Sequence, residues 1–276
     1  MTEAQHGARL AAADLTLAYD RKVIASRLNL HIPDHKFTVI IGPNACGKST
    51  LLRALCRLLK PRSGQVLLDG RDIHQMGTKM LARELGLLPQ HAIVPEGISV
   101  EDLVARGRYP HQTLLKQWSQ ADREAVDAAM RATNVYDLAQ RSVDELSGGQ
   151  RQRVWVAMVL AQQTPLLLLD EPTTWLDIAH QIELLDLFHQ LNRQRGHTLV
   201  AVLHDLNQAC RYADWLVVMK QGQIVAQGEP AQIVTCDLIG QVFGMDSVII
   251  DDPVSHTPMI VPCGRYHRSG NASPQK

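Results

Sequence analysis

The sequence predicts an α/β protein built on a mostly parallel β-sheet, with an antiparallel β subdomain and a helical subdomain. Three observations support this fold class: a β-rich first third, a helical segment between about residues 91 and 147, and a regular alternation of strands and helices after residue 160. Such alternation is typical of a parallel sheet covered by helices, since two parallel strands need a crossover connection between them.

Apolar runs and period-two alternation predict the strands, and turn or capping residues set the ends of the helices. Before the helical segment we expect strands at Leu10–Ala18, Val23–Ile32, Phe37–Ile41, Gln65–Asp69 and Leu85–Leu88, and a helix at Lys48–Leu59. Within it, Ser99 with Asp102 and Ser119 with Asp122 are capping-box pairs that open two further helices. The later elements are helices at Gly148–Gln163, Ile178–Gln194 and Leu206–Tyr212, and strands at Leu166–Leu169, Thr198–Leu203 and Trp215–Met219.

We expect a single domain over residues 1–268, followed by a loose tail at 269–276. The parts of the domain are, in chain order, a β-rich and core part at 9–90, a helical subdomain at about 91–160, a second core part at 161–245 and a C-terminal β addition at 246–264. The pattern assigns the β addition no role beyond a structural one.

The composition excludes several classes of protein. The chain has 28 Lys and Arg against 28 Asp and Glu, so it has no surplus of cations for phosphate backbones and we expect no nucleic-acid partner. The longest uncharged apolar stretch, Val154–Ala161, is far shorter than the ~20 residues that span a bilayer, and we expect no signal peptide. Five cysteines without CxxC spacing indicate free thiols in a reducing cytosol.

A phosphate-binding loop is the sharpest feature of the sequence. Residues 42–49 read GPNACGKS, which fits GxxxxGK[ST] between a predicted strand and a predicted helix. The backbone N–H groups and the helix start favour phosphates, Lys48 adds a positive charge for the reacting phosphates, and Ser49 offers a hydroxyl ligand to Mg²⁺. The residues expected to bind nucleotide here are Gly42, Pro43, Asn44, Ala45, Cys46, Gly47, Lys48, Ser49 and Thr50.

A second element places two acids after the leucines of Leu166–Leu169. In a buried parallel strand these acids lie at the carboxyl end, where ligands bind in open α/β sheets. Asp170 is expected to hold Mg²⁺, and Glu171 to act as general base toward the attacking water. A buried strand followed by a helix cap would produce the same pattern, but together with the phosphate loop the catalytic interpretation is favoured.

A third motif, LSGGQ, lies at a helix start ahead of the acidic strand and is followed by Arg151-Gln152-Arg153. It resembles the signature of the ATP-binding cassette (ABC) family. A serine and glycines at a helix start form an anion-binding corner. The resemblance implies the ABC ATPase fold of the P-loop NTPases, ATP and Mg²⁺ as ligands, and a head-to-tail dimer of two copies. In that dimer the corner of one copy completes the ATP site of the other through Ser147, Gly148, Gly149 and Gln150.

Four further positions match this family in the expected order. Tyr19 matches the aromatic residue that stacks on adenine, and Gln90 matches the loop glutamine that approaches Mg²⁺ and the membrane partner. Asp177 matches the loop that links the two sites of the dimer, and His204 matches the histidine that contacts the γ-phosphate. The resemblance thus implies catalytic roles for Gln90 and His204.

A narrower resemblance lies in Ala105–Gln112 and in Glu171–Gln181, which are similar to the ATPases of iron–siderophore importers of the ferric enterobactin type. It implies a peripheral subunit on the cytoplasmic face of the inner membrane that binds integral membrane permease subunits and serves a substrate-binding protein indirectly. Importers of vitamin B12, haem or another metal chelate, and a soluble ABC ATPase of cofactor assembly, are alternatives. A module that only binds ATP is disfavoured, because the residues matching the catalytic positions are all present.

Four residues depart from the family pattern or suggest a separate hypothesis. Ala45 stands where glycine is common, so a methyl group must be accommodated. Thr174 and Trp175 replace the commoner serine and alanine, without loss of a charged group. Cys46 lies near a helix start, and two interpretations stay open: the helix start lowers the pKa of its thiol, or the residue only fills its place in the loop.

Overall fold

The structure, a computed structural model, describes residues 8–90, 96–113, 118–174 and 176–264. The predicted tail at 269–276 and Trp175 lie outside these ranges. The strands are β1 (Ala8–Tyr19), β2 (Lys22–Pro33), β3 (Phe37–Ile41), β4 (Ser63–Leu68), β5 (Arg71–Asp72), β6 (Leu85–Leu88), β7 (Leu166–Asp170), β8 (Thr198–Val202), β9 (Trp215–Lys220), β10 (Gln223–Gly228), β11 (Ser247–Asp251) and β12 (Pro258–Pro262). The α-helices are α1 (Lys48–Leu55), α2 (Thr78–Glu84), α3 (Val100–Ala105), α4 (Gln120–Ala132), α5 (Gly148–Ala161), α6 (Ile178–Arg195), α7 (Leu206–Tyr212), α8 (Pro230–Ile233) and α9 (Cys236–Phe243). Short 3-10 segments lie at Arg106–His111, Tyr136–Leu138 and Val143–Glu145.

A six-stranded sheet forms the centre of the molecule, in the order β10–β9–β3–β8–β7–β6. Its neighbouring strands run parallel except for β10, which is antiparallel to β9. Every residue of β3, β7 and β8 is buried. This explains their nearly continuous apolar sequences, because a strand covered on both faces has no solvent side to carry polar residues. The predicted α/β fold class is confirmed.

Two further layers and a helical unit surround this sheet. An antiparallel sheet in the order β2–β1–β4–β5 shares one hydrophobic core with α1 and one face of the central sheet. The other face packs against α5, α6, α7 and α9, while α3, α4 and α5 form a separate helical core. Strands β11 and β12 form an antiparallel hairpin near the C-terminus. No helix in the described ranges combines the length and apolar character needed to cross a bilayer.

Helix α1 ends at Leu55, earlier than the predicted end at Leu59. Arg57 adopts a left-handed backbone with φ 65°, and its guanidinium donates hydrogen bonds to the carbonyl oxygens of Ile73 and Met76 at 3.1 and 2.6 Å. These contacts reach a part of the chain that a local sequence pattern does not include. Tertiary hydrogen bonds, rather than the proline that follows, therefore end this helix.

A buried ion pair attaches the Arg106–His111 segment to the helical subdomain. Arg108 Nε donates to Asp122 Oδ1 at 2.9 Å, and its Nη1 donates to the carbonyl oxygen of Ala161 at 2.7 Å. Both charged side chains are less than one-tenth exposed. Asp122 also accepts hydrogen bonds from the backbone N–H and the hydroxyl of Ser119. Arg108 thereby joins the start of α4 to the end of α5.

Arg108→Met is expected to lower the free energy of unfolding by about 3–5 kcal/mol, because it leaves a buried carboxylate without its cation. Although burial acts to raise it, hydrogen bonds from Ser119 and Arg108 hold the pKa of Asp122 below its ordinary value. A carboxylate with a lowered pKa stabilises the fold above its unfolded-state pKa, and this contribution is lost as pH falls through the lowered value. Urea denaturation at neutral and acidic pH measures both effects.

The double variant Arg108→Met/Asp122→Leu is the matched control for this prediction. It removes the unpaired carboxylate of Asp122 as well as the arginine, so its free energy of unfolding should lie between those of the single variant and the wild-type chain. An unchanged unfolding free energy in the single variant would contradict the assignment.

Candidate nucleotide-binding site

The carboxyl ends of four neighbouring parallel strands meet at one edge of the central sheet. In the order β3, β8, β7 and β6, these strands lead into the Gly42–Ser49 loop, His204, the Asp170–Glu171 pair and Gln90. This edge is where ligands bind in open α/β sheets. The strand order thus gathers residues from distant parts of the sequence into one site.

The Gly42–Ser49 loop wraps around the ammonium group of Lys48. Lys48 Nζ donates to the carbonyl oxygens of Gly42 and Pro43 at 2.8 and 3.0 Å. Gly42 has φ 155°, and a Cβ atom there would lie 2.2 Å from the carbonyl oxygen of Met219, so this position requires glycine. The loop presents a largely buried cation together with the backbone N–H groups at the start of α1. This arrangement is suited to binding phosphates.

Two loop residues carry specific expectations from the sequence. The Ala45 methyl group is accommodated, because the residue is exposed although its φ of 59° is left-handed. Cys46 is 4% exposed and belongs to the core beneath the loop. Burial raises the pKa of the Cys46 thiol, and the charge of Lys48 opposes this only in part. The interpretation that the helix start lowers the Cys46 pKa is therefore wrong, since desolvation outweighs the field of the helix start.

Ser49 and Asp170 meet at the base of the loop. Ser49 Oγ donates to Asp170 Oδ1 at 2.9 Å. Asp170 is 3% exposed, and burial raises the pKa of its carboxyl while the hydrogen bond from Ser49 opposes the shift. A buried carboxylate is stabilised by a cation partner, and hydroxyl, carboxylate and amide oxygens are the ligands that Mg²⁺ prefers. Ser49, Asp170 and the neighbouring Gln90 could therefore hold a magnesium ion.

Three side chains orient the Glu171 carboxylate. Gln90 Nε2 and Thr174 Oγ1 donate to Glu171 Oε2 at 2.6 and 3.3 Å. His204 Nε2 lies 2.7 Å from Glu171 Oε1. Glu171 itself has φ 53°, which turns the chain sharply at the end of β7. A carboxylate held in this way at the wall of a cleft can accept a proton from a bound water molecule.

These groups line an open cleft of about 1050 Å³. The cleft wall contains most of the residues predicted for the site: Gly42, Pro43, Asn44, Ala45, Gly47, Lys48, Ser49, Thr50, Gln90, Glu171 and His204. Sequence reasoning did not assign Lys22, Ile24, Thr174 or Phe243 to the site, although all four line the same cleft. Phe243 ends α9, far along the chain, and no local pattern connects it with the phosphate loop.

Tyr19 lies outside the cleft wall, at the end of β1. Its side chain is 42% exposed, and its hydroxyl accepts a hydrogen bond from Arg53 at 3.4 Å. Lys22 and Ile24, on the next strand of the same hairpin, do line the cleft. The hairpin as a whole therefore borders the site, while its aromatic residue faces solvent.

The LSGGQ segment also lies away from this cleft, at the start of α5. Ser147 Oγ accepts a hydrogen bond from the backbone N–H of Gln150 at 3.2 Å, and Gln150 Oε1 accepts one from the backbone N–H of Ser147 at 3.1 Å. Ser147 and Gly148 are exposed, and Gly149 is half-buried. A capped helix start with small exposed residues is thus available to a ligand from outside the chain.

Asp177 caps the next helix, α6. Its carboxylate accepts a hydrogen bond from the backbone N–H of His180 at 3.0 Å. This hydrogen bond holds the pKa of Asp177 below its ordinary value. Asp177 is exposed and, like the LSGGQ segment, is not brought into the cleft of its own chain.

A glycine-rich loop between a buried strand and a helix, beside a buried strand that ends in two acids, defines a P-loop nucleotide-binding protein. The family described as ABC transporter matches residues 25–174, more than half of the chain. The chain belongs to the ABC transporter family.

Similar proteins from three bacteria narrow the family assignment to ATP-binding proteins of importers. The ferric enterobactin transport ATP-binding protein FepC of Escherichia coli (strain K12) is 58% identical over 258 residues, covering 94% of this chain and 95% of that protein. The probable siderophore transport system ATP-binding protein YusV of Bacillus subtilis (strain 168) is 55% identical over 251 residues, covering 91% of each. The hemin import ATP-binding protein HmuV of Shewanella denitrificans is 41% identical over 246 residues, covering 87% of this chain and 95% of that protein. The resemblance to importer ATPases is confirmed.

Solved structures share the fold. A metal-chelate type ABC transporter in an inward-facing conformation matches with a TM-score of 0.80 and 27% identity, covering 94% of this chain and 98% of that one. A dimeric ATP-binding cassette in a post-hydrolysis state bound to ADP and Pi matches with a TM-score of 0.71 and 26% identity, covering 80% of this chain and 98% of that one. The chain therefore has the ATP-binding cassette fold.

Proposed function

We propose that this chain is the ATP-hydrolysing subunit of an ABC importer and that the imported cargo is a ferric siderophore. The observation that carries the proposal is the 58% identity to the ferric enterobactin protein across 94% of the chain. Identity to the hemin importer protein is lower, at 41%. The importer ATPases for haem, vitamin B12 or another metal chelate are therefore the second candidates.

Binding of ATP begins at the phosphate loop. The backbone N–H groups of residues 42–49 and the Lys48 ammonium grip the phosphate chain, and the start of α1 adds its partial positive charge. Ser49, Asp170 and Gln90 would hold Mg²⁺ through their side-chain oxygen atoms, and the buried carboxylate of Asp170 favours a cation partner. When bound, Mg²⁺ neutralises charge on the outer phosphate oxygens.

Hydrolysis depends on Glu171. Its carboxylate orients the attacking water and accepts a proton from it, while His204 contacts the γ-phosphate side of the cleft. Gln90 reaches the same carboxylate, so a displacement of the loop that carries Gln90 alters the base directly. The 2.6 Å contact between Gln90 and Glu171 supports this role.

The active unit is a head-to-tail dimer of two copies with two ATP molecules between them. The Ser147–Gln150 corner of one copy, in which Ser147 and Gly148 are exposed, closes the cleft of the other, and the loop carrying Asp177 joins the two sites. Tyr19 lies outside the cleft wall of the single chain, but its hairpin borders the cleft through Lys22 and Ile24, so we assign its exposed ring to the adenine of the bound nucleotide. Support for the dimer comes from the exposure of these groups in the single chain and from the dimeric cassette of the same fold.

In the proposed importer, this chain binds integral membrane permease subunits at the cytoplasmic face of the inner membrane. We assign the permease contact to the region of Gln90 and the Arg106–His111 segment. Arg108 fixes that segment to the helical subdomain, while Tyr109 is 68% exposed, as a protein contact requires. A substrate-binding protein outside the membrane would deliver the cargo to the permease.

Deleting this protein is expected to abolish growth on one ferric siderophore under iron limitation, since import through the permease depends on ATP hydrolysis by this chain. Growth yield on a single supplied siderophore measures the effect, and re-introducing the wild-type chain should restore it. The Glu171→Gln chain, expressed at the same level, should not. A growth defect confined to haem or to vitamin B12 as nutrient would assign the cargo to the second candidates instead.

A further inference from the structure

Helix α7 follows His204 directly and is fixed from two sides by residues distant in sequence. His204 reaches Glu171, yet its side chain is 46% exposed, so packing around the imidazole does not fix its position. Before His204, the backbone N–H of Leu203 donates to the carbonyl oxygen of Ile40 at 3.3 Å, which extends the β8 ladder. After it, the chain enters α7 through Asp205. The placement of His204 therefore depends on what holds α7.

The first attachment of α7 is an amide clamp on the C-terminal hairpin β11–β12. Asn207 Oδ1 accepts a hydrogen bond from the backbone N–H of Ile260 at 2.8 Å, and Asn207 Nδ2 donates to the carbonyl oxygen of Ile260 at 3.3 Å. The Asn207 amide thus bonds both the N–H and the C=O of Ile260, as the backbone of a neighbouring strand would. Ile260 itself is buried in the core beside α7.

The second attachment is an ion pair four residues further along the same helix face. Arg211 Nη2 lies 2.6 Å from Asp252 Oδ2, and the Asp252 side chain is only 5% exposed. Asp252 also accepts hydrogen bonds from the backbone N–H groups of Val254 and Ser255. The hydrogen bond from Arg211 holds the pKa of Asp252 far below its ordinary value. The loop of the hairpin is therefore organised around the residue that holds α7.

The opposite side of α7 is tied to the loop that follows Glu171. Gln208 Nε2 donates to Gln181 Oε1 at 2.9 Å, and Gln181 Nε2 donates to the carbonyl oxygen of Leu176 at 2.9 Å. Leu176 precedes Asp177. Helix α7 is thus held between the C-terminal hairpin and the loop that begins at the catalytic base.

We propose that the hairpin β11–β12 is a positioning element for hydrolysis, which acts through Asn207 and Arg211 to hold His204 against Glu171. This inference goes beyond the import function and rests on it only in that the chain must hydrolyse ATP. Asn207 and Arg211 are positioning residues, since neither lines the nucleotide cleft. Loss of the Asn207 or Arg211 contact lets α7 and His204 shift. A shift of about 1 Å at a reacting group can slow a reaction by up to ~100-fold.

The test compares Asn207→Leu and Arg211→Met with the wild-type full chain, by phosphate release from MgATP and by thermal unfolding. We expect kcat to fall about 10- to 100-fold while KM for MgATP stays within about twofold, because the clamp acts on the reacting groups rather than on nucleotide binding. Asn192→Leu is the matched control. Asn192 is likewise an asparagine whose side chain bonds to the backbone, but at the opposite edge of the sheet, where its Nδ2 donates to the carbonyl oxygens of His35 and His197. It should lower the unfolding temperature without changing kcat.

A double-mutant cycle separates positioning from general stability. In a His204→Ala background, Asn207→Leu should change kcat by less than about twofold, because the residue it positions is absent. Two results would overturn the proposal. One is an unchanged kcat in both Asn207→Leu and Arg211→Met. The other is a fall in kcat caused by Asn207→Leu that is as large in the His204→Ala background as in the wild-type chain. Absence of MgATP hydrolysis by the wild-type chain would instead overturn the proposed function, so the two failures are distinguishable.

Discussion

Glu171→Gln is expected to bind MgATP normally and to hydrolyse it about 10²–10⁴-fold more slowly, because the amide cannot accept the proton of the attacking water. Glutamine has the shape of the native side chain, so its amide oxygen can still accept hydrogen bonds from Gln90 and Thr174 while its NH2 group faces His204. Since the nucleotide stays intact, the variant should also accumulate as the closed dimer. Single-turnover hydrolysis and size-exclusion chromatography in MgATP measure the two effects.

Glu124→Gln is the matched control, since Glu124 lies on the exposed surface of α4 and contacts Gln120 rather than the cleft. It should leave hydrolysis and the monomer–dimer distribution unchanged. Wild-type turnover in Glu171→Gln would remove Glu171 from the role of base and leave the site without an assigned proton acceptor.

Lys48→Met is expected to weaken MgATP binding by about 10- to 100-fold, because hydrogen bonds to a charged group contribute about 1.5–3 kcal/mol. Methionine preserves the length of the side chain but removes the charge that faces the phosphates. The variant also loses the hydrogen bonds that Lys48 Nζ donates to the carbonyl oxygens of Gly42 and Pro43, while the backbone of Gly42 still sets the close approach of the loop to Met219. Equilibrium titration with a fluorescent ATP analogue measures the affinity.

Lys60→Met is the control for this variant, since Lys60 is an exposed lysine beyond the end of α1. It should bind MgATP with the wild-type affinity. Equal affinity of Lys48→Met and the wild-type chain would show that the loop does not grip the phosphates through this lysine.

The central sheet and the core of the site were predictable because their signals are local. Strands β3, β7 and β8 are buried on both faces, so the sequence shows them as apolar runs. The phosphate loop and the acids at the end of β7 are contiguous motifs with one chemical interpretation each. The parallel arrangement then brings the ends of these strands together, as the alternation of strands and helices requires.

Other features depend on contacts between distant parts of the chain and were not predictable from local patterns. The end of α1 is set by Arg57 reaching the carbonyls of Ile73 and Met76. The raised pKa of Cys46 follows from its burial in the core, which outweighs the helix start. Phe243 enters the cleft wall from the end of α9, a helix attached to β9 by the hydrogen bond from Lys220 Nζ to the carbonyl oxygen of Gln241 at 2.6 Å. In each case the feature depends on contacts with residues that are distant in sequence, which a periodic pattern or a short motif does not include.

The order of strands at the site has a consequence for how its chemistry is spaced. Neighbouring strands lie about 4.8 Å apart, so the three steps from β3 to β6 span roughly 14 Å. A slip of one residue in β7 would move Asp170 by about 3.3 Å relative to Ser49 and reverse the face on which each side chain lies. The separations between the strand ends at the site are therefore fixed by the main-chain hydrogen bonds of the sheet, while His204 and Gln90, which follow the strands, depend on further contacts.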